Sequence, residues 1–421
     1  MGGGRLPLLV ANPDVVVVGG GPAGAAAAFW LANAGHSVTL VEKKEFPREK
    51  TCGDGITPRA ILQLQDLGFD FHVPEFHRVH GLRSYAGDNL KLEMEWPDHS
   101  IFPNWGGVIR RADLDHQVAQ LVEKQGATIR QRVEAKPVLE DGRMTGVELK
   151  HNGEVEVLNP KVVVVADGSL SRFGWSLGTS RRRDYPLGLA ARGYFESPRS
   201  DDGFLESQLD IRDETGAAMP GYGWVFPLGD GTVNVGVGLL STFKRWKHVN
   251  TSDMMDAYVR SAPDYWELSE ESQLTKPRGG KLTMALSVGP LAGPNWVVAG
   301  DAAGAINPWN GEGISYAYET GRIAADHVSA ALAADDLSLL QRYPQFLQDT
   351  YGDYYKMARV FVKAIGQPWV MRTLTHTGLR SKPLMEWVLK VMANLLEPEE
   401  RSIGEQAYRM LEGIVRTAPR F

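Results

Sequence analysis

Asp14-Val-Val-Val-Val-Gly19-Gly-Gly21-Pro22-Ala23-Gly24 is followed by an alanine-rich run and then by Val38-Thr-Leu-Val-Glu42. Four consecutive valines predict a strand buried on both faces. Gly19 makes the tight turn that ends it, Gly21 lets the backbone approach a pyrophosphate, and Gly24 lets the following helix lie close to the sheet. That helix opens at Pro22 and Ala23, and its N-terminus offers free N–H groups and a positive dipole end to phosphates. Glu42 lies 18 positions after Gly24, at the end of the second strand. A carboxylate there can take both ribose hydroxyls. The glycine spelling alone is also an ordinary strand-to-helix turn. Strand, turn, helix, strand and acid in that order are what an ADP-containing dinucleotide requires.

The rest of the chain sets bounds on this reading. At 421 residues it is long enough for two or three subdomains with a substantial core. Its 43% apolar and 23% charged content are those of a globular protein. A net charge of −6 argues against general nucleic-acid binding. Cys52 is the one cysteine, so no internal disulfide can form, which suits a reducing compartment. Val15 to Leu31 is apolar, but its proline and four glycines fit the dinucleotide turn better than a membrane span. Leu6 occupies the position where a myristoylation site needs Ser or Thr, and Leu8 to Val10 is too short for a signal peptide core. His72, His77, His80 and His99 are scattered without ligand spacing, so no metal is expected.

Along the chain, Thr57 to Leu67 reads as a helix with Pro58 in its first turn. Val79 to Trp96 alternates like strands around an Ala86–Asn89 turn. Arg111 to Gln125 is an amphipathic helix with Leu114, Val118, Leu121 and Val122 on one face. Strands are predicted at Thr128–Val133, Thr145–His151, Val155–Leu158 and Lys161–Ala166. Leu187 to Leu240 reads as several long antiparallel strands, able to wall a cavity. Trp296 to Ala299 returns to a parallel-type strand, and helices are expected from Gly311 to Leu332 and from Leu337 to the end. The predicted architecture is α/β: a Rossmann-like dinucleotide domain from 1–78, 108–183 and 284–335, a β-rich substrate domain from 79–107 and 184–283, and a helical region over 336–421.

Two further segments carry chemistry. Gly300-Asp301-Ala-Ala-Gly304 follows a strand end, where the acid can take a sugar or ribityl hydroxyl. Asn307-Pro-Trp309-Asn-Gly311-Glu-Gly313-Ile314 then lets backbone lie close to a planar ligand, with a helix N-terminus to stabilise negative charge on it. Ala166-Asp167-Gly168-Ser169-x-Ser171 is the other. Taken alone, each is equally a tight loop with a helix cap.

In this order the segments resemble the flavoprotein group that contains aromatic hydroxylases, flavin halogenases and geranylgeranyl reductases, over about residues 14 to 330. The resemblance implies FAD, with Glu42 on the adenosine ribose, Asp301 on the ribityl chain and the Gly311–Gly313 helix start facing the flavin pyrimidine. It implies that Arg111 contacts FAD and that the Phe46-Pro-Arg48 loop, continuing into Cys52-Gly53-Asp54-Gly55, enters the flavin site. Lys43, Asp167, Gly168, Gly300 and Ile314 complete the expected cofactor set. With one GxGxxG in the chain, NADPH or another reductant is expected to act only as a transient donor.

Tyr222-Gly-Trp224-Val-Phe226-Pro227 falls in the antiparallel region, and alternation puts the three aromatics on one face. Such a row is commonly core. Its spelling, however, resembles the geranylgeranyl reductase family, in which it lines the prenyl channel and a cysteine sits near the flavin. The wider spelling of Lys50–Arg59, Pro220–Pro227 and Asn307–Ile314 resembles the menaquinone-reducing branch of that family. This implies reduction of one double bond in a menaquinone tail, in the isoprene unit second from the ring, or action on another prenyl lipid. Tyr222, Trp224, Phe226, Pro227 and Trp309 are the substrate-binding candidates.

An isolated alkene is unpolarised, so hydride from reduced flavin needs a proton delivered in step or stabilisation of positive charge on carbon. Tyr222 and Trp224 are candidates for the second role and Cys52 for the first, with water as the alternative acid. A flavin monooxygenase or halogenase acting on a small aromatic, and a flavin-binding lipid carrier, are competing readings. Tyr354 to Leu396 holds seven Lys or Arg and a single acid, Glu386. It reads as a solvated basic cap or as a membrane-contact surface; a prenyl substrate favours peripheral attachment at the cytoplasmic side of the membrane.

Overall fold

Val15–Val18, buried on both faces, is the central strand of a five-stranded parallel sheet. Its order is Trp296–Val298, Val162–Val165, Val15–Val18, Val38–Glu42, Thr128–Gln131. Val15 is in register with both Val162 and Val38. The structure, a computed structural model, describes residues 12–397 except 87–89, 213–215, 217, 218, 220, 244 and 245, together with 406, 408–410, 412 and 413. The readings made on the first ten residues, on the tip of the Ala86–Asn89 turn and on the extreme C-terminus lie outside the described residues.

The helices are α1 (Pro22–Asn33), α2 (Pro58–Asp66), α3 (Arg111–Lys124), α4 (Arg172–Ser176), α5 (Thr251–Ser261), α6 (Ile314–Ala333), α7 (Tyr343–Ile365), α8 (Pro368–Gly378) and α9 (Lys382–Met392). α1 and α6 pack through small residues. A Cβ on Gly321 would stand 2.2 Å from the Ala23 carbonyl oxygen, and one on Gly300 would stand 2.6 Å from the Ala23 Cβ. Side chains there would push the two helices apart, and with them the turns that precede them.

A second sheet has seven strands, in the order Arg278–Thr283, Leu187–Glu196, Thr232–Leu240, Gly221–Pro227, Phe204–Gln208, Gly81–Ala86, Leu90–Glu95. Segments far apart in sequence thus share one sheet. The expected antiparallel pattern has one exception: Phe204–Gln208 runs parallel to Gly81–Ala86, where the two chain segments meet. One face is covered by α5 and Trp266, with Val233, Val235 and Val237 beneath them. The opposite face meets α9 through Met385 and Leu389.

Glu134–Glu140 is a strand that the sequence reading missed. It edges a small three-stranded sheet with Arg143–His151 and Glu154–Leu158. It carries Pro137 and is largely exposed, so it lacks the apolar alternation that marks a half-buried strand.

Candidate active site

The carboxyl ends of the parallel strands gather the cofactor candidates. Gly19 follows Val18, Glu42 ends its strand, Asp167 follows Val165, and Asp301 follows Val298. That edge is where open α/β sheets take ligands. Gly19 adopts φ +104°, and a Cβ there would lie 2.4 Å from the Ala166 carbonyl oxygen. A Cβ on Gly24 would lie 1.8 Å from the Gly19 carbonyl oxygen. Backbone contact therefore requires glycine at both positions. A Cβ on Gly21, by contrast, would meet only the guanidinium ends of Arg48 and Arg111, at 3.9 and 4.0 Å. The space above Gly21, at the N-terminus of α1, is rimmed by N–H donors, which fits a pyrophosphate.

The two arginines are not free charges. Arg111 forks onto Asp115 through Nε and Nη2, both at 2.8 Å, and Arg48 Nη1 reaches the same carboxylate at 3.0 Å. Arg48 Nε also stands 3.3 Å from Glu42. What they offer a diphosphate is spare N–H groups more than net charge; the positive potential comes from α1, whose first turn holds no acid. Glu42 accepts from the backbone N–H of Gly20 at 3.0 Å and of Lys44 at 2.9 Å, which fixes its carboxylate at the strand end. Lys43 is exposed, and its charge acts on Asp167. Asp167 accepts from the Phe173 N–H at 3.1 Å, and its other oxygen is buried without a partner. Burial raises its carboxyl. Asp167 and Ser171 thus cap α4, and Gly168 turns the chain at φ +88°.

In the third segment, a Cβ on Gly313 would lie 3.4 Å from Asp301 Oδ1, so that carboxylate stands at the start of α6. Gly311 takes φ +79°. Glu312 accepts from the Thr57 hydroxyl, its other oxygen is buried without a partner, and burial raises its carboxyl. These residues make a glycine cradle, two polar strand ends and two helix N-termini that fit FAD.

The Cys52–Gly55 loop lies across the seven-stranded sheet. Cβ atoms on Gly53 and Gly55 would stand 3.2 and 3.1 Å from the Phe226 ring, so the loop rests on the aromatic row. Tyr222, Trp224 and Phe226 form that row, with ring centroids 5.8 and 6.1 Å apart. The Tyr222 hydroxyl donates to the Asn310 carbonyl at 2.7 Å, tying the row to the third cofactor segment. Cys52 is half-buried; burial raises its thiol, opposed in part by the Arg111 charge. The thiol is therefore neutral at physiological pH. Burial, the larger cause, and the neighbouring Glu312 carboxylate push Tyr222 up to about 12.

Register explains how the row is held. Gly236 pairs with Trp224, Gly238 with Tyr222 and Asn234 with Phe226. The next strand sets Tyr194 opposite Asn234 and Arg192 opposite Gly236. Trp224 Nε1 donates to Asn234 Oδ1 at 2.9 Å. Asn234 Nδ2 donates to the Cys52 carbonyl at 2.9 Å and to Asp54 Oδ2 at 2.7 Å. Tyr194 donates to the same Asp54 oxygen at 2.7 Å, and the Arg111 N–H to the other at 3.2 Å. Arg192 Nε reaches the Cys52 carbonyl at 3.1 Å. Trp224, Asp54 and the Cys52 loop therefore form one buried polar network, and Asp54 holds it from a φ of +65°.

Tyr222, Trp224, Phe226 and Cys52 are thus brought together beside the cofactor segments, and Pro227 closes the same strand. The Trp309 ring packs on Phe361 at 4.6 Å and Tyr354 at 6.2 Å, both on α7. Sequence reasoning missed Asn234, Tyr194 and Arg192. A signal existed for the first: Asn234-x-Gly-x-Gly238 leaves a strand face almost without side chains beside a row of large aromatics.

Fold and site together define a flavoprotein. Residues 12–200 match the family model described as FAD binding domain. The chain is 37% identical to the menaquinone reductase of Mycobacterium tuberculosis over 94% of its own length and 95% of that protein's. It is 29% identical to the digeranylgeranylglycerophospholipid reductase of Thermoplasma acidophilum over 80% and 84%. The crystal structure of a geranylgeranyl bacteriochlorophyll reductase-like protein from Thermoplasma acidophilum superposes with a TM-score of 0.77 at 23% identity, covering 95% and 99% of the two chains. The protein belongs to the geranylgeranyl reductase family of FAD-dependent oxidoreductases, with menaquinone reductases among its relatives.

Proposed function

We propose that the protein reduces an isoprenoid double bond of a prenyl lipid, the tail of menaquinone, in the isoprene unit second from the ring. The observation that carries the reading is the aromatic row Tyr222, Trp224 and Phe226, pressed against the Cys52–Gly55 loop and tied to Asn310. The names of the relatives support the substrate class. FAD, when bound and reduced, supplies the hydride. The chain supplies the rest. The aromatic faces orient an apolar alkene and stabilise positive character on its carbon. Cys52, kept neutral by burial, holds a proton at Sγ for the adjacent carbon, and Asn234 and Arg192 fix its loop by its carbonyl. NADPH or another reductant is the donor, bound transiently. The enzyme works peripherally at the cytoplasmic face of the membrane; no helix of the described residues is long and apolar enough to cross one.

The test is lipid-quinone mass spectrometry of a host lacking the gene, complemented with wild type and with Cys52→Ala. A two-hydrogen mass gain on menaquinone, present with wild type and reduced with Cys52→Ala, is expected. Fragmentation of the product locates the reduced unit. Unchanged quinone mass with FAD-loaded protein present rules out this substrate and returns other prenyl lipids first and the aromatic monooxygenase reading next.

A further inference from the structure

A cleft lies at the joint between α7 and α8. It measures about 260 Å³ and is lined by Arg183, Asp184, Tyr185, Ser241, Thr242 and Lys363. Gly366, just after α7, packs on its wall: a Cβ there would stand 2.9 Å from Thr242 Oγ1. Asp184, the acid in the lining, is bound by Arg182 at 2.8 Å. Arg183 and Lys363 are both exposed, and neither makes an ion pair among the described residues. The Tyr185 ring lies between two further guanidiniums, those of Arg182 and Arg359, each 4.3 Å from its centroid. Thr242 Oγ1 and Arg359 Nε are buried without hydrogen-bond partners. The cleft therefore combines the uncompensated charge of Arg183 and Lys363 with the hydroxyl-bearing residues Ser241 and Thr242, the chemistry that takes a phosphate.

The surroundings indicate which phosphate. Trp369, in the first turn of α8, is 70% exposed, and Leu374 and Val360 are 48% and 44% exposed. Arg372, Arg380 and Lys382 are exposed on the same run of helices. A soluble anion needs no indole beside its site. An exposed tryptophan in the helix turn that follows Gly366, with basic residues on the same helices, fits a bilayer surface, where aromatic rings settle at headgroup level and basic side chains meet anionic lipid.

We propose that this joint docks the protein on an anionic bilayer, with Trp369 in the interface and a lipid phosphate in the Arg183–Lys363 cleft. The proposal rests on the prenyl-lipid reading only for the expectation that a membrane is near. Its test reads vesicle binding rather than turnover, so either can fail alone. FAD-loaded full-length protein is floated with phosphatidylcholine vesicles, with or without about 30 mol % phosphatidylglycerol. Binding is expected to the anionic vesicles and to weaken as salt is added. Arg183→Ala with Lys363→Ala lowers partitioning roughly 30-fold, from about one unit of charge attraction each. Trp369→Ala lowers it about tenfold, from lost apolar burial. Unchanged FAD content in each variant shows that it is folded. Equal binding to neutral and anionic vesicles, full binding by the Arg183/Lys363 variant, or capture of inorganic phosphate without any vesicle binding would each overturn the assignment.

Discussion

Asp54 is wholly buried, and burial lifts its carboxyl to about 6, against the donors of Tyr194 and Asn234 and the charge of Arg192. The proton is therefore held more tightly in the folded than in the unfolded chain. The stability this contributes is fully present below the ordinary value near 3.8 and is lost as pH rises through about 6. The loss amounts to about 3 kcal/mol. Asp54→Asn, which cannot titrate, removes that slope. The difference in unfolding free energy between wild type and variant should change across this window and stay flat above pH ~7. Parallel curves throughout would place the titration elsewhere. The same residue shows what a sequence reveals and what it hides. Asp54 was legible as part of a glycine-flanked loop near a flavin, because loops of that kind carry function. Its partners Tyr194 and Asn234 were not, since each is an ordinary position in an alternating strand and acquires its role only through cross-strand register.

At the scale of elements, glycine spacing was legible because it states a backbone requirement. Gly19 and Gly24 have no room for a Cβ whatever surrounds them. The aromatic row was legible because strand period puts alternate residues on one face. The parallel seam between Phe204–Gln208 and Gly81–Ala86 was not, since local pattern carries no information on which distant strands pair. The row depends on its neighbour strand as much as on its own residues. A Cβ on Gly236 would stand 2.2 Å from the Trp224 ring and 2.6 Å from the Ala191 carbonyl oxygen. The backbone cannot yield easily, and Trp224 is pinned by its bond to Asn234. Gly236→Ala should cost about 1–3 kcal/mol through overpacking. It should also tilt the indole and lower alkene turnover while FAD content, set by the other sheet, stays at the wild-type level. Wild-type turnover in a FAD-loaded Gly236→Ala protein would mean that the exact seat of Trp224 does not matter to the reaction.

For the molecule as a whole, the cofactor segments come from residues 14–24, 42–55, 111, 167–168 and 300–314, and the chain between them builds the second sheet. A buried clamp ties the ends of this arrangement together. Arg59, on α2, forks onto Glu319 of α6 at 3.0 and 2.9 Å and donates to the Asn394 carbonyl beyond α9 at 2.9 Å. Tyr351 of α7 donates to the same Glu319 at 2.7 Å. Segments so distant in sequence meet only in the folded chain, so the unfolded chain offers FAD no site. Binding must then stabilise the fold by mass action. FAD at a hundredfold excess over its dissociation constant adds about 2.7 kcal/mol, and each further tenfold adds about 1.4 kcal/mol. Protein stripped of FAD should therefore melt lower than loaded protein, and its midpoint should climb with the logarithm of added FAD. The Arg183→Ala/Lys363→Ala protein should show the same climb, because the lipid cleft and the cofactor cradle are built from different residues. A midpoint indifferent to FAD would mean that the cradle forms without contributing binding energy, against the fit of its glycines and helix ends. A climb lost only in the Arg183/Lys363 variant would mean that the α7–α8 joint and the cradle are one coupled unit.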